Sequence, residues 1–162
     1  MAKQKPSIRV RRVSEDAWEL VHPRCAKARS EDIEEVRKMI AAGETEIARD
    51  ELRWLLDECH DFIEVHALLG DLAHAEDEVK LARGHYGYAY QLAQKAIEQA
   101  EDITRLPATL AANQPFFHAG EGLVRCLAKM GKRGLSQDVA KRLLQLDPAD
   151  PLGLRSLLSR SR

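Results

Sequence analysis

Few residues in this 162-residue chain are of types and spacings that do chemistry. Cys59 and His60 are adjacent, and a thiol beside an imidazole can make an activated nucleophile. The stripe Ile47, Ala48, Leu52, Leu55 and Leu56 places Cys59 at the C-terminal end of a helix. There the helix dipole is negative and raises a thiol pKa. Side chains at i and i+1 also diverge on a helix. Cys126, between Leu123 and Leu127, reads as a buried inert thiol. His22 and Cys25 together with Cys59 and His60 make four candidate zinc ligands, but their spacing is that of no zinc ribbon or finger. His74 and Glu78 stand four apart, a spacing that can ligate a metal or form a hydrogen bond, and exposed pairing is the expectation. The glycines of GHYG and AGEG fall inside helical patterns rather than between a strand and a helix, so no phosphate loop is expected. The expectation is a non-enzyme without a cofactor.

Apolar periodicity positions these residues. Ser30 is a candidate N-cap, Glu31 and Asp32 suit the first turn, and Ile33, Val36, Met39 and Ile40 form one face up to Gly43. A second stripe covers 44–59. The stretch from Ile63 to Gln94 brings the small residues Gly70, Ala82 and Ala89 together with Tyr86, as closely crossing helices require. The apolar face then continues through Ile97 to Ile103, predicting one helix over 78–104 in which Gly84 and Gly87 mark close helix contact. Pro107 and Asn113 break a loop over 105–114. Helices follow over 115–130 and 135–146, separated by a turn at Gly131, and Pro151 opens a short last helix.

Leu69-Gly70, Ala82, Tyr86 and Ala89 are spaced as in the tetratricopeptide repeat, which this chain resembles. Ala48, Leu52 and Leu55 precede Ala82, Tyr86 and Ala89 by 34 residues, the period of that family. Ser136 follows Ala82 by 54, one period plus a 20-residue insertion, and Asp147-Pro148 resembles the family's repeat terminus. Val36 stands where the second repeat has Gly70, and Gln94 where a proline is usual. The resemblance covers about 29–158: repeats at 29–62, 63–96 (its second helix extended to 104) and 117–150, then a capping helix at 151–158 and a tail at 159–162. It implies an all-α solenoid of helical hairpins. Residues 1–28 form a basic arm. There SIRVRRV alternates and AWELV follows a turn-prone Ser14-Glu15-Asp16, as a small β-hairpin or one extended arm would, with Trp18 and Val21 as anchors. MAKQKP has little to bury and is expected to be disordered.

In such a solenoid the first helix of each pair lines a concave groove. Carried onto this chain, that face offers Glu34, Arg37, Glu64, Asp71, His74, His118, Glu121, Arg125 and Lys129. The implied function is an adaptor or scaffold for a protein or peptide partner. A nucleic-acid partner would instead use Arg9, Arg11, Arg12 and the Arg160 and Arg162 tail, but aromatic interleaving is lacking there. Charge is uneven: residues 1–29 hold eight Lys/Arg against three Asp/Glu, residues 30–104 seven against nineteen, and residues 105–162 ten against four. Basic ends around an acidic middle suit intramolecular attraction or simply solvated faces. Three scattered cysteines make no disulfide framework and favour a reducing compartment. No apolar run approaches the ~20 residues of a membrane helix. The expected setting is cytoplasmic.

Overall fold

The computed structural model describes the backbone of residues 7–160 and the side chains of residues 7–158. The expected disorder of MAKQKP, and the Arg160 and Arg162 side chains, lie outside the described residues. Most of the chain is helical. A two-stranded antiparallel hairpin, β1 (Arg9–Ser14) and β2 (Ala17–Val21), precedes a single turn, α1 (Arg24–Lys27). Three helix pairs follow: α2 (Ser30–Ala41) with α3 (Thr45–Glu58), α4 (Ile63–Ala75) with α5 (Val79–Gln99), and α6 (Gln114–Lys129) with α7 (Arg133–Leu146). A short 3-10 turn (Ala111–Asn113) precedes α6, and α8 (Leu154–Arg160) ends the described chain.

One turn geometry recurs in all three pairs. Gly43, Asp77 and Gly131 adopt left-handed backbone at φ 79°, 60° and 76°, at separations of 34 and 54 residues. In each, the amide that follows closes on a carbonyl five residues back: Glu44 to Met39, Glu78 to Ala73, Lys132 to Leu127. These six-to-one bonds satisfy carbonyls orphaned at the helix end. Ala48, Ala82 and Ser136 occupy the same place after the turn, and all three are buried.

The core is centred on Tyr86. A Cβ at Gly70 of α4 would come within 2.6 Å of its ring, and one at Gly122 of α6 within 2.5 Å. The absence of side chains at these two positions lets α5 drive an aromatic ring between its neighbours. Gly120 likewise admits Leu143 of α7, which a Cβ would meet at 2.8 Å. Ile63, Ala67, Ala89, Ala93, Phe116 and Leu123 extend this cluster, while Val36, Leu52, Leu55, Val65 and Leu68 form a second one under α2 and α3.

Several expectations are corrected. The long helix ends at Gln99 rather than 104, because Ala100 turns to extended backbone, and Ile103 packs on the core from the loop. Gly84 has nothing near where a Cβ would stand, and Gly87 meets only Leu123 at an ordinary 3.8 Å, so neither marks a close crossing. Arg29, not Ser30, is the N-cap of α2. The last helix starts at Leu154, where Asp150 accepts the amides of Leu154 and Arg155 at 2.7 and 3.1 Å, and it continues through Ser159 and Arg160 of the expected tail. The arm is a hairpin anchored by Ile8, Trp18 and Leu20, with Val21 only half-buried. Cys25 and Cys59 form a disulfide, their Cα atoms 5.7 Å apart. The spacing had concealed this because α1 folds back beside the end of α3, and the cysteines no longer favour a reducing compartment. Among the described residues, no helix is long and apolar enough to cross a membrane.

Two substitutions test this packing. Ala82 is fully buried, and Ala82→Trp forces an indole into a filled crossing, where overpacking costs about 1–3 kcal/mol or more. A lowered melting temperature is expected, and an unchanged one would place Ala82 elsewhere. Asp77→Gly, by contrast, relieves an L-residue of the left-handed conformation, which costs about 1–2 kcal/mol. It also loses a contact with Lys129 at 3.2 Å, where Asp77 is 85% exposed and the pair contributes little. Thermal unfolding should show a gain of about 0.5–1 kcal/mol.

Candidate functional site

The first helices of the three pairs meet along one side, where α4, buried over most of its length, shows half-buried Glu64, Asp71 and His74. Glu34 and Arg37 of α2, Glu64 of α4 and Gln114, Pro115 and His118 of α6 line a cavity of about 570 Å³, with Ala111 at its edge. A smaller, apolar pocket of about 150 Å³ adjoins it through Glu64, Ala111 and Pro115, with Ala26, Ile33 and Phe62 in its wall. Helix pitch explains the first set. Glu34 and Arg37 are three apart on α2, and Gln114 and His118 four apart on α6, so each pair projects from one side of its helix.

Along this face basic groups meet acidic ones. Arg37 Nη2 lies 2.5 Å from Glu64 Oε1, joining the first pair of helices to the second. His118 Nε2 donates to Asp71 at 2.8 Å, joining α6 to α4. Tyr86 Oη donates to the same Asp71 carboxylate at 2.5 Å, so one acid orients both the buried phenol and the groove imidazole. Farther along α6, Arg125 pairs with Glu121 at 2.8 Å, and Lys129 reaches Asp77 at 3.2 Å. Thus Glu64, Asp71, His118, Glu121, Arg125 and Lys129 lie on linked helices, but as paired charges rather than an acidic middle and a basic end. His74 is half-buried in the last turn of α4 and lines neither cavity. Glu34 is exposed at the rim with no ion partner among the described residues.

The Asp71 carboxylate raises the pKa of His118 above its usual 6.5, mainly through their hydrogen bond and against the opposing effect of burial. Burial raises that of Tyr86, with the Asp71 bond adding to it. A phenol held protonated between two glycine backbones is a structural strut. One Asp71 carboxylate thus holds both the buried Tyr86 phenol and the His118 imidazole, which lines the larger cavity. Cys126 is buried, and burial raises its thiol pKa.

The four candidate zinc ligands do not converge. Cys25 and Cys59 are joined to each other, and His22 Nε2 donates to the Ala112 carbonyl at 2.7 Å. The carbonyl of His60, not its ring, is engaged, accepting from His66 Nε2 at 3.2 Å. Among the described residues no group of three or more His, Cys, Asp or Glu side chains is placed to hold a metal ion.

Asn113, by residue type a breaker in the 105–114 loop, has a larger role. It is fully buried: Oδ1 accepts the Leu20 amide at 2.8 Å, and Nδ2 donates to the carbonyls of Trp18 and Pro107 at 3.1 and 2.9 Å. One side chain thus ties the N-terminal hairpin to the loop that edges the groove. His66 also went unremarked. It is buried beside His85 and Tyr88, with ring centroids 5.7 and 4.6 Å away. Neither signal is visible without the partner strands and helices.

These environments give the histidines opposite pH behaviour. Desolvation lowers the pKa of His66 and of His85, while His118 is raised. His118 therefore stabilises the fold fully below 6.5, and that contribution is lost as pH rises through its folded value. His66 and His85 act the other way: the neutral fold they favour loses stability as pH falls below 6.5. Proton NMR titration should show His118 titrating above 6.5 and the other two below it. A His118 midpoint at or under that of His66 would show that the Asp71 contact is not made in solution.

Comparison of the chain with protein-family models, with curated proteins and with solved structures gave no match.

Proposed function

We propose that this chain is a non-catalytic scaffold of the tetratricopeptide type that binds a protein or peptide in the groove of α2, α4 and α6. The observation that carries the reading is the pair of adjoining cavities on that face, one polar and one apolar. A surface built this way holds an extended segment through one side-chain pocket and a set of oriented charges, as peptide grooves do. Arg37–Glu64 and His118–Asp71 hold those charges in fixed geometry before a ligand arrives, which lowers the ordering cost of binding. The recurrence of one turn at separations of 34 and 54 residues supports the family resemblance.

The basic arm is the second candidate surface, for nucleic acid, and its arginines are largely engaged elsewhere. Arg11 pairs with Glu19 at 2.5 Å. Arg12 lies over Trp18 at 5.1 Å and donates to the Glu15 carbonyl. Among the arginines of β1 that leaves Arg9, without an ion pair among the described residues, too little for a phosphate-tracking surface.

Partner capture from the source cells tests the assignment. The triple variant Glu34→Lys/Arg125→Glu/Lys129→Glu alters exposed side chains and should unfold within roughly 0.5 kcal/mol of the wild type per site. It should lose the captured partner, because like charges juxtaposed in an interface cost several kcal/mol. Arg9→Glu/Arg11→Glu should retain it. Capture that survives the groove variant and fails in the arm variant would move the function to the hairpin.

A further inference from the structure

The side of the molecule formed by the second helices carries a groove that the chain leaves unfilled. Between α5 and α7 lies a cleft of about 560 Å³, with Gly84 and Gly87 in its floor and Leu123, Leu127, Leu135 and Val139 in its walls. Inside the fold, close glycines are filled positions: Gly70 and Gly122 receive Tyr86, and Gly120 receives Leu143. Gly84 and Gly87 lie one turn apart on α5, and no side chain of the described residues comes as close to either. A helix interior is disfavoured by glycine, so two there with no internal contact to justify them leave room for something outside. Lys80 and Arg83 stand on the rim without an ion partner among the described residues, and Asp138 is the single acid of the lining.

The chain itself presents a helix edge with two exposed apolar side chains and an excess of acids, Arg53 being the exposed base among them. On α3, Ile47 is 57% and Trp54 44% exposed, a separation of seven places both on one side two turns apart, and Arg29 lies over one face of the Trp54 ring at 4.9 Å. Asp50, Asp57 and Glu58 are exposed near them and carry no ion partner among the described residues.

We propose that the α5/α7 groove receives α3 of a second copy of this chain. Ile47 and Trp54 of one copy lie over Gly84 and Gly87 of the other, and the α3 carboxylates face Lys80 and Arg83. The two surfaces differ, so the contact is heterologous and each copy offers one knob and one groove. It uses none of the groove residues of α2, α4 and α6, and stands independently of the partner-binding reading.

Sedimentation of the purified full chain reads the contact directly. The wild type should associate with rising concentration, more weakly at high salt. Gly84→Leu places its side chain in open space and improves helix propensity, so its melting temperature should hold or rise while association is lost. Ile47→Glu/Trp54→Glu should also be monomeric and folded by circular dichroism. Mixing these two variants restores one intact contact, the knob of the first in the groove of the second, and should yield a species of two chains and no larger. The triple variant of the concave face should associate like the wild type. A wild type that stays monomeric throughout its soluble range overturns the proposal, as does association unaffected by Gly84→Leu or a mixture that fails to pair. A monomeric wild type whose capture of another protein is lost on Gly84→Leu would assign the groove to a foreign helix instead.

Discussion

Three helices are held in register by one aromatic ring. Tyr86 enters between α4 and α6 at the two points where a side chain is missing, so the spacing of all three helices depends on Gly70 and Gly122. Its hydroxyl then ends on Asp71, which also holds His118. Packing and polarity are coupled here. The ring fixes how deep α5 sits, and the phenol determines where the Asp71 carboxylate points. A buried Tyr hydroxyl needs a partner, and this one is satisfied by a group whose other function is at the surface. The carboxylate that meets His118 at the cavity is thus positioned by the core.

How much of this was legible in the sequence depended on distance along the chain. Local signals worked: Gly43 and Gly131 ended helices, the alternation of residues 8–13 gave a strand, and Gly70, Ala82 and Tyr86 identified the central crossing. Gly122 was missed although it mirrors Gly70, because nothing in its own helix says which residue will approach it. The error over Gly84 and Gly87 has the same origin. A glycine in a helix shows that space is available and not whether the chain itself fills it. The Cys25–Cys59 bond depends on a one-turn helix folding back 34 residues, which neither spacing nor composition encodes. Helical period groups Glu34 with Arg37 and Gln114 with His118, and these line one cavity with Glu64. It carries no trace of cross-helix pairing, since Arg37–Glu64 and His118–Asp71 span 27 and 47 residues.

The twenty extra residues between the second and third pairs determine the shape of the site. The first and third second helices, α3 and α7, are each 14 residues long, whereas α5 runs to 21. The chain must then return to begin α6, and it does so over residues 100–113. That return is fixed near its middle by polar contacts. Leu106 donates to the Leu146 carbonyl at 2.8 Å, and Asp147, itself buried, accepts the Ala108 amide at 2.8 Å. A carboxylate that closes α7 therefore also secures a loop 39 residues earlier. An irregular segment this long would otherwise leave backbone groups unpaired in the core.

The return loop also joins the N-terminal hairpin to the concave face. A lone two-stranded hairpin is marginal in water and needs a surface to pack on. The loop supplies it: the Trp18 amide donates to the Arg105 carbonyl at 3.0 Å, Asn113 binds both Trp18 and Leu20, and His22 holds Ala112. Ala111 and Pro115, on either side of Asn113, then line both cavities. The hairpin does not lie in the groove; it fixes one wall of it from behind. The arm and the insertion consequently form a single device. Without the hairpin, two of the three contacts of Asn113, those to Leu20 and Trp18, have no counterpart, and only its bond to the Pro107 carbonyl holds the groove edge from that side.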